Sequence, residues 1–352
     1  MKKVITFFLF VLPVAMVSAQ NISNVDFHQV GDEIVITYDL DETSPIGAYV
    51  SLDGGKSYKE MHSVRGDIGR AVSLGKKRML WKVLNDIPEG LSGQVQFKVS
   101  ANLFVSIDDI EFEMVYVKGG TFMMGRTSEQ TPTLLDTLLV KDASKPVHTV
   151  TLSDYYVGKY EVTQDLWEKV MGTTIVQQYD KLVDKTYTPL GSVGSNYPIC
   201  HVTWIEASDF CAKLCQLTGK TFVLPTEAQW EYAARGGRKS KGVKYIGNND
   251  IDKVTWYRNN SGKATHSVGT KQPNELGIYD MGGNIWEWCQ DWYGYYGSEA
   301  QTNPTGPETG SFRMNRGGSF YSWEGDCQAS PRRLKAPSFR DGDLGFRVVL
   351  LP

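Results

Sequence analysis

The chain has 352 residues and a formal net charge of -3, from 37 Lys and Arg against 40 Asp and Glu. This mild acidity argues against a nucleic-acid ligand, which would need a basic patch. The length exceeds the usual size of a single domain, so two domains are predicted.

The N-terminal stretch has the pattern of a secretory signal peptide. Lys2 and Lys3 precede an apolar run, Val4 to Val17, and the small residues Val17-Ser18-Ala19 provide a cleavage site. The sequence therefore predicts a signal peptide over residues 1–19 and a protein that is secreted, periplasmic or held at the cell surface. A retained anchor is the alternative, but the run falls short of the roughly 20 apolar residues of a membrane span. No membrane span is predicted.

Residues 20–108 contain short β-prone runs separated by turn residues. The runs are Ile34 to Tyr38, Ala48 to Leu52, Met79 to Val83 and Val95 to Val99. Their size and spacing predict an all-β domain, immunoglobulin-like or fibronectin-like. The stretch Ser51 to Tyr58 also resembles an Asp-box, a hairpin signature of sialidase propellers. One copy cannot build a propeller, so Asp53 is expected to bond its own backbone, with sugar binding as the alternative.

Residues 113–352 predict a different kind of domain, with mixed α and β structure. Thr203 and Thr226 each open a capping box, Thr-x-x-Glu and Thr-x-x-Gln, which predicts one helix through Cys215 and another that ends at Gly236. A third helix is predicted from Thr163 to Met171. Long glycine- and tryptophan-rich stretches lie between these elements and indicate irregular structure.

Seven motifs in this second region carry a resemblance to a known family. In chain order they are Gly119 to Gly125 (GGTFMMG), Tyr160 to Thr163 (YEVT), His201 to Trp204 (HVTW), Leu224 to Ala233 (LPTEAQWEYA), Asn274 to Met281 (NELGIYDM), Gly283 to Trp288 (GNIWEW), and Arg316 to Phe320 (RGGSF) with Gly345 to Arg347 (GFR). The region resembles the formylglycine-generating enzyme, or sulfatase-modifying factor. The resemblance implies a compact α+β fold related to C-type lectins and often stabilised by calcium.

The resemblance also implies a reaction, the copper-dependent oxidation by O₂ of a sulfatase cysteine to formylglycine. The family holds Cu(I) between two thiolates five residues apart, and the matching positions here are Ser322 and Cys327. Cu(I) is soft and prefers sulfur, so the Ser322 hydroxyl is a poor replacement. Met314 or Cys289 could supply a second sulfur only if the fold brought either one near. Copper binding is therefore not expected.

Cys327 remains a candidate catalytic residue, because the family's second cysteine lies at the peptide groove. The alternative is a disulfide, for which Cys289 is the favoured partner in an exported protein. The chain has five cysteines, which leaves one thiol unpaired in any full pairing. Cys211 and Cys215 lie four residues apart on one helix and are expected to be core residues, since no zinc-spaced partner follows them.

The resemblance places one calcium site at the turn after Tyr279. Asp280 supplies a hard carboxylate, and the carbonyls of Met281, Gly283 and Ile285 match the family's backbone ligands. Calcium takes six to eight oxygens of this type. In the alternative, Asp280 only caps a turn.

Motif position places a set of aromatic and arginine side chains near a substrate groove. These residues are Trp286, Arg316, Ser319, Arg332 and Arg333. Such residues favour contacts with a peptide or a glycan. With its copper centre incomplete, the chain is expected to be an exported binding or accessory module without the family's oxidase activity. An active formylglycine-generating oxidoreductase is the alternative.

Overall fold

The computed structural model describes residues 21–91, 95–132, 143–183, 185 and 191–352. The chain forms two compact units, Met1–Glu113 and Met114–Pro352. The predicted signal peptide and residues 133–142 lie outside the described residues. Within the described part, no helix is long and apolar enough to cross a membrane.

The first unit is built from short antiparallel strands. They are β1 (Ile22–Val30), β2 (Glu33–Leu40), β3 (Ser44–Ser51), β4 (Lys59–Glu60), β5 (Val64–Gly66), β6 (Gly69–Val72), β7 (Gly75–Lys82), β8 (Gln96–Ser100) and β9 (Leu103–Ile107), with one helical turn, α1 (Val83–Asp86). One sheet has the order β1-β2-β7-β5, and the other has the order β4-β3-β6 with β8 also paired to β3.

Apolar side chains of both sheets share the core of this unit. Ile36 and Met79 come from the first sheet, and Ala48 and Phe97 come from the second. Alternating side chains of a strand point to opposite faces, so each sheet directs one apolar face inward. The predicted all-β domain is thus found, while its assignment as immunoglobulin-like or fibronectin-like remains a prediction.

The turn that resembles an Asp-box is held by its own backbone. Asp53 Oδ1 accepts hydrogen bonds from the N–H groups of Lys56 and Ser57, each at 3.0 Å. Its other carboxylate oxygen accepts from the Ser57 hydroxyl at 2.6 Å. The prediction that Asp53 bonds its own turn is confirmed.

The second unit combines short strands with short helices. Its strands are β10 (Ile110–Val117), β11 (Gly120–Met124), β12 (His148–Leu152), β13 (Tyr155–Gly158), β14 (Thr221–Val223), β15 (Trp286–Trp292), β16 (Gln301–Thr302), β17 (Arg313–Arg316), β18 (Arg333–Lys335), β19 (Leu344–Gly345) and β20 (Val349–Leu351). Its helices are α2 (Gln164–Met171), α3 (Ile175–Asp180), α4 (Trp204–Thr218), α5 (Glu227–Ala234) and α6 (Ile251–Val254).

The helix starts follow from local hydrogen bonding. Thr203 and Thr226 both form reciprocal capping boxes, with Glu206 and Gln229 as their partners, and Thr163 caps α2. These caps satisfy N–H groups that the first turn of a helix leaves unpaired. All three predicted helices are confirmed. The α+β class is found as well, whereas the relation to C-type lectins remains a prediction.

Three small sheets and a set of buried ion pairs order the second unit. The sheets contain β14-β20-β13-β10, β11-β12-β16 and β18-β17-β15-β19. Three glutamate–arginine pairs join the elements, namely Glu231 with Arg316, Glu227 with Arg332, and Glu287 with Arg347. Burying a charge is costly unless it is paired and hydrogen-bonded, so these pairs fix the positions of the chain segments that carry them.

Candidate functional site

A glycine turn between β17 and the segment at Ser322 fixes the centre of the predicted site. Gly318 has φ +79°, and a Cβ there would lie 2.8 Å from Cys327 Sγ and 3.0 Å from the carbonyl oxygen of Asp326. Only glycine combines this left-handed conformation with so close an approach. The turn therefore packs directly on the Cys327 thiol. Its conformation also fixes the position of Ser319, the next residue in the chain.

Ser322 belongs to a small hydroxyl and carboxylate cluster. Its Oγ accepts a hydrogen bond from the Ser319 N–H at 2.9 Å and lies 3.2 Å from Ser319 Oγ. Ser319 Oγ in turn donates to Asp343 Oδ2 at 2.7 Å. Burial raises the pKa of Asp343 to about 6. The cluster is a hydrogen-bonding network of hard oxygen atoms, which does not suit a soft metal ion.

Cys327 lies in an apolar environment. It is fully buried and packs in a cluster with Tyr245, Ile251, Val254 and Tyr257. Burial raises the pKa of its thiol well above the usual value, with Asp326 as the next cause. A nucleophilic or metal-binding cysteine needs its thiolate form, so this environment disfavours both roles.

The predicted disulfide between Cys289 and Cys327 is wrong, because all five cysteines are free. Cys289 packs with Met314 in the main core of the unit, and Cys327 packs in a separate cluster. Neither Cys289 nor Met314 is therefore placed as a second sulfur ligand beside Cys327. Cys211 is buried on α4 as expected, and Cys215 is half-buried and exchanges weak hydrogen bonds with Phe222.

Two of the predicted groove arginines are instead buried ion-pair partners. Arg316 is fully buried and donates to Glu231 and to the carbonyls of Ser330 and Pro331. Arg332 donates to both oxygens of Glu227, at 2.6 and 2.7 Å. The prediction that Arg316 and Arg332 line an open groove is therefore wrong. Helix α5 carries two buried glutamates, and these arginines are the cations that pair with them.

Of the remaining predicted groove residues, Ser319 is fully buried and Trp286 is 9% exposed, while Arg333 lies beside exposed aromatic side chains. The Arg333 guanidinium lies 5.7 Å from the ring of Trp286 and donates to Asp326 at 2.6 Å. Trp323 is 53% exposed and carries the Arg258 guanidinium at 4.4 Å from its ring. We call this surface the Trp323 face, and it consists of Arg258, Trp286, Tyr321, Trp323 and Arg333. Sequence reasoning missed Arg258, Tyr321 and Trp323, although the aromatic residues flank Ser322 in the chain.

The turn at Asp280 contains two residues with a left-handed backbone conformation. Asp280 and Asn284 both have φ +57°, and a Cβ at Gly283 would lie 2.1 Å from the carbonyl oxygen of Trp256. The carboxylate of Asp280 is buried and accepts from the Gly269 N–H at 2.6 Å. Burial raises the pKa of Asp280 to about 6.

A second buried carboxylate, Glu161, lies under the same turn. It accepts from the Asn284 side chain at 2.7 Å and from the Ile285 N–H at 3.3 Å. Burial raises the pKa of Glu161 well above its usual value, and the nearby Asp280 adds to the rise. Sequence reasoning missed Glu161, which the Tyr160 to Thr163 motif could have indicated. The two buried carboxylates are hard oxygen donors of the kind that a divalent cation takes.

In the part of the chain that the structure describes, no larger metal cluster accompanies this pair. Across the described ranges, no three His, Cys, Asp or Glu side chains are grouped as a metal site. A cation at the Asp280 turn would therefore take its other ligands from the main chain. The carbonyls of Met281, Gly283 and Ile285 are the candidates that the turn provides.

The second unit has the fold of the formylglycine-generating-enzyme-like proteins, an α+β domain organised around its glycine turn and buried glutamate–arginine pairs. A family profile described as "Sulfatase-modifying factor enzyme 1-like domain" matches residues 108–351. The chain belongs to this family, and the resemblance predicted from the seven motifs is confirmed.

Similar proteins have diverse names. The chaperone protein LppX of Paenibacillus barcinonensis is 30% identical over 310 residues, which cover 74% of this chain and 95% of LppX. The formylglycine-generating enzyme of Mus musculus is 29% identical, covering 67% of this chain and 74% of the mouse protein. The serine/threonine-protein kinase Pkn1 of Chlamydia trachomatis is 31% identical, but the chain spans only 38% of its length.

A solved structure supports the same fold. The Treponema denticola variable protein 1 matches with a TM-score of 0.58 and 29% identity, covering 71% of this chain and 99% of that protein. The uncovered part of this chain is consistent in size with the additional first unit.

Proposed function

We propose that this protein is an exported binding or accessory member of the sulfatase-modifying factor family that lacks copper-dependent oxidase activity. The observation that carries the proposal is the pair of residues at the copper positions. Ser322 offers a hydroxyl that already accepts a backbone hydrogen bond, and Cys327 is a buried, protonated thiol. These residues do not fit Cu(I), which requires accessible thiolates.

The Trp323 face supports peptide binding as the retained function. Exposed aromatic side chains beside arginines are typical of the residues that dominate protein interfaces. Trp323 and Tyr321 are 53% and 41% exposed, and Arg258 and Arg333 lie against aromatic rings of the same face. LppX, a relative at 30% identity, is named a chaperone protein. Both observations favour a protein or peptide partner over a glycan.

The oxidase question has a direct test. A cysteine-containing sulfatase-motif peptide is incubated with the protein, Cu(I), a thiol reductant and oxygen, and the aldehyde is measured by mass spectrometry. We expect no conversion by the wild type, and conversion would contradict the proposal. The matched variant Ser322→Cys restores the second sulfur. Conversion by this variant alone would show that the groove persists and that one sulfur is missing.

The binding function needs its own experiment. A phage-displayed peptide library is selected on the wild type and on Trp323→Ala, with the same proteins applied to a glycan array. We expect peptides to be enriched on the wild type and to bind the variant at least about tenfold more weakly, since truncating a central tryptophan removes an interface anchor. Peptides that bind both proteins equally would exclude the Trp323 face. Binding to glycans alone would support the alternative ligand class.

We also propose that the Asp280 turn binds calcium. Asp280 and Glu161 would supply carboxylates, and Met281, Gly283 and Ile285 would supply carbonyls. Chelation should lower the melting temperature, because an ion that binds only the folded state stabilises it by mass action. Asp280→Asn should reduce the calcium-dependent shift. An equal melting temperature with calcium and with chelator would exclude the site.

A further inference from the structure

The second unit contains a cavity away from the predicted site. Of the predicted site residues, only Arg332 lines it. Its volume is about 510 Å³, which is the size of a small organic ligand. The wall combines the end of β15, the following glycine- and proline-rich loop and the start of α5. The residues used below are Glu227, Asp291, Trp292, Tyr295, Tyr296 and Arg332.

Asp291 gives the cavity a hydrogen-bond acceptor. Its side chain is 96% buried, since only 4% of the residue is exposed. One oxygen, Oδ2, accepts from the Glu227 N–H at 2.8 Å. The carboxylate also accepts from the backbone N–H of Asp291 itself. An ionised carboxylate is costly to bury unless a cation pairs with it, so a positively charged ligand would be favoured here.

The charges of the wall favour a cationic ligand over an anionic one. Arg332 donates to both oxygens of Glu227 and to the carbonyls of Ala143 and Gly294, so its guanidinium is already occupied. When Asp291 is ionised, the side chains of Glu227, Asp291 and Arg332 in the described wall carry a formal net charge of about -1, and the Arg313 guanidinium lies close to Asp291. The complementary ligand therefore carries a positive charge and hydrogen-bond donors.

The aromatic side chains of the wall suit the same ligand class. Tyr296 already stacks with a guanidinium, that of Arg332, at 3.9 Å from its ring centre. Tyr295 is 58% exposed and lines the cavity, so its ring is accessible from solvent. Aromatic faces attract guanidinium and ammonium groups, and arginine in particular stacks on them.

We propose that this cavity binds a basic side chain, the guanidinium or ammonium group of a peptide, with Asp291 as its anionic partner. The site is separate from the Trp323 face, because the two share no residue. The proposal therefore does not depend on the proposed function, and either can fail alone.

The electrostatic environment predicts how binding depends on pH. Burial raises the pKa of Asp291 to about 7, and the neighbouring Glu227 adds to the rise while Arg332 opposes it. Arg313 and His148 are the other titratable groups beside Asp291 or in the cavity wall. A cation favours the ionised carboxylate, so binding releases a proton, and affinity rises from pH 6 to pH 8.

Isothermal titration calorimetry tests the proposal with three capped amino acids. N-acetyl-arginine methylamide and its lysine counterpart are the cationic probes, and the citrulline counterpart is neutral and nearly isosteric with arginine. We expect the cationic probes to bind the wild type at least about tenfold more tightly than citrulline, because a charge-assisted pair is lost. Binding of the cationic probes should strengthen between pH 6 and pH 8.

Variants locate the binding to the cavity. Asp291→Asn keeps the acceptor for the Glu227 N–H but removes the charge, and Tyr295→Ala truncates a largely exposed ring. Both substitutions should lower the affinity for the arginine probe by about tenfold or more. The control variants Asp165→Asn and Trp323→Ala should bind the probe as tightly as the wild type does. Circular dichroism and melting curves confirm folding. Equal binding of citrulline, unchanged binding by Asp291→Asn, or no binding up to about 10 mM would overturn the proposal.

Discussion

The two units reach a buried core by different means. In the first unit, regular antiparallel strands alternate apolar and polar residues, and the core is apolar, with Met79 and Trp81 fully buried. In the second unit, helices and strands are short, and Arg316 and Arg347 are as deeply buried as the apolar residues around them. The difference shows that a loop-rich chain can be ordered by paired charges where repeated backbone ladders are short.

This comparison predicts different sensitivities to mutation. A buried apolar residue contributes through the area it removes from water, and a smaller residue leaves a cavity. A buried ion pair contributes little net stability, but the loss of one partner leaves an uncompensated charge. The second unit should therefore respond most strongly to changes that affect one member of a pair.

The largest effect is expected for Arg347→Met in the second unit. Arg347 donates to both oxygens of Glu287, and its loss would leave a buried carboxylate without its cation. We expect the free energy of unfolding to fall by about 3–5 kcal/mol in urea titrations followed by tryptophan fluorescence. The double variant Arg347→Met with Glu287→Gln should recover part of this loss. No recovery would mean that packing, not charge, explains the effect.

A slightly smaller effect is expected for Met79→Ala in the first unit. Met79 is fully buried in the core that the two sheets share. The substitution should cost about 2–5 kcal/mol, the range for truncating a core side chain. Trp81 is the only tryptophan of the first unit in the sequence. In a variant that retains Trp81 as its single tryptophan, the fluorescence signal would report unfolding of the first unit. A loss below about 1 kcal/mol would show a core that repacks readily.

A pH-dependent effect of intermediate size is expected at Asp291. Its pKa is about 7 in the fold, against an ordinary value of 3.8, so the folded state binds the extra proton between these values. Stability from this group is therefore full below about pH 4 and is lost as the pH rises through 7. Asp291→Asn should remove this loss, so the variant should gain stability relative to the wild type as the pH rises from 4 to 8. Parallel pH profiles of the two proteins would contradict this assignment.

The smallest effect is expected at a surface ion pair of the first unit. Arg65 lies 2.9 Å from Glu33, but its side chain is 58% exposed. Solvent screens such a pair, so Arg65→Ala should change the free energy of unfolding by less than about 1 kcal/mol. Thermal melts at low and high salt provide the measurement. A change comparable to that of Arg347→Met would erase the contrast between exposed and buried pairs.

Local patterns in the sequence predicted much of the fold. Capping boxes at Thr203 and Thr226 depend on residues three positions apart, so they can be recognised without tertiary information. The strands of the first unit and the turn at Asp53 depend on similarly short patterns. The three small sheets of the second unit were not predicted as sheets, because strands such as β19 have two residues and pair with distant segments.

The site was less predictable than the fold. Ser322 was identified as a departure from the copper motif from the family resemblance alone, and this assignment remains a prediction. Arg316 and Arg332 could not be assigned from sequence, since their glutamate partners lie on a helix about a hundred residues earlier. Glu161 and Asp291 were missed for the same reason. Their chemistry depends on burial and on neighbours brought together only by the fold.

The position of β20 has a consequence for the order in which the protein is made. This strand lies between β13 and β14, so it completes a sheet whose other members are synthesised much earlier. The strand pairs of β1 to β8, by contrast, all lie within residues 22–100. During synthesis or translocation, the first unit can therefore form all its strand pairs before the second unit is complete. The second keeps two unpaired strand edges until residues 349–351 arrive, and this interval is when it is most prone to aggregate.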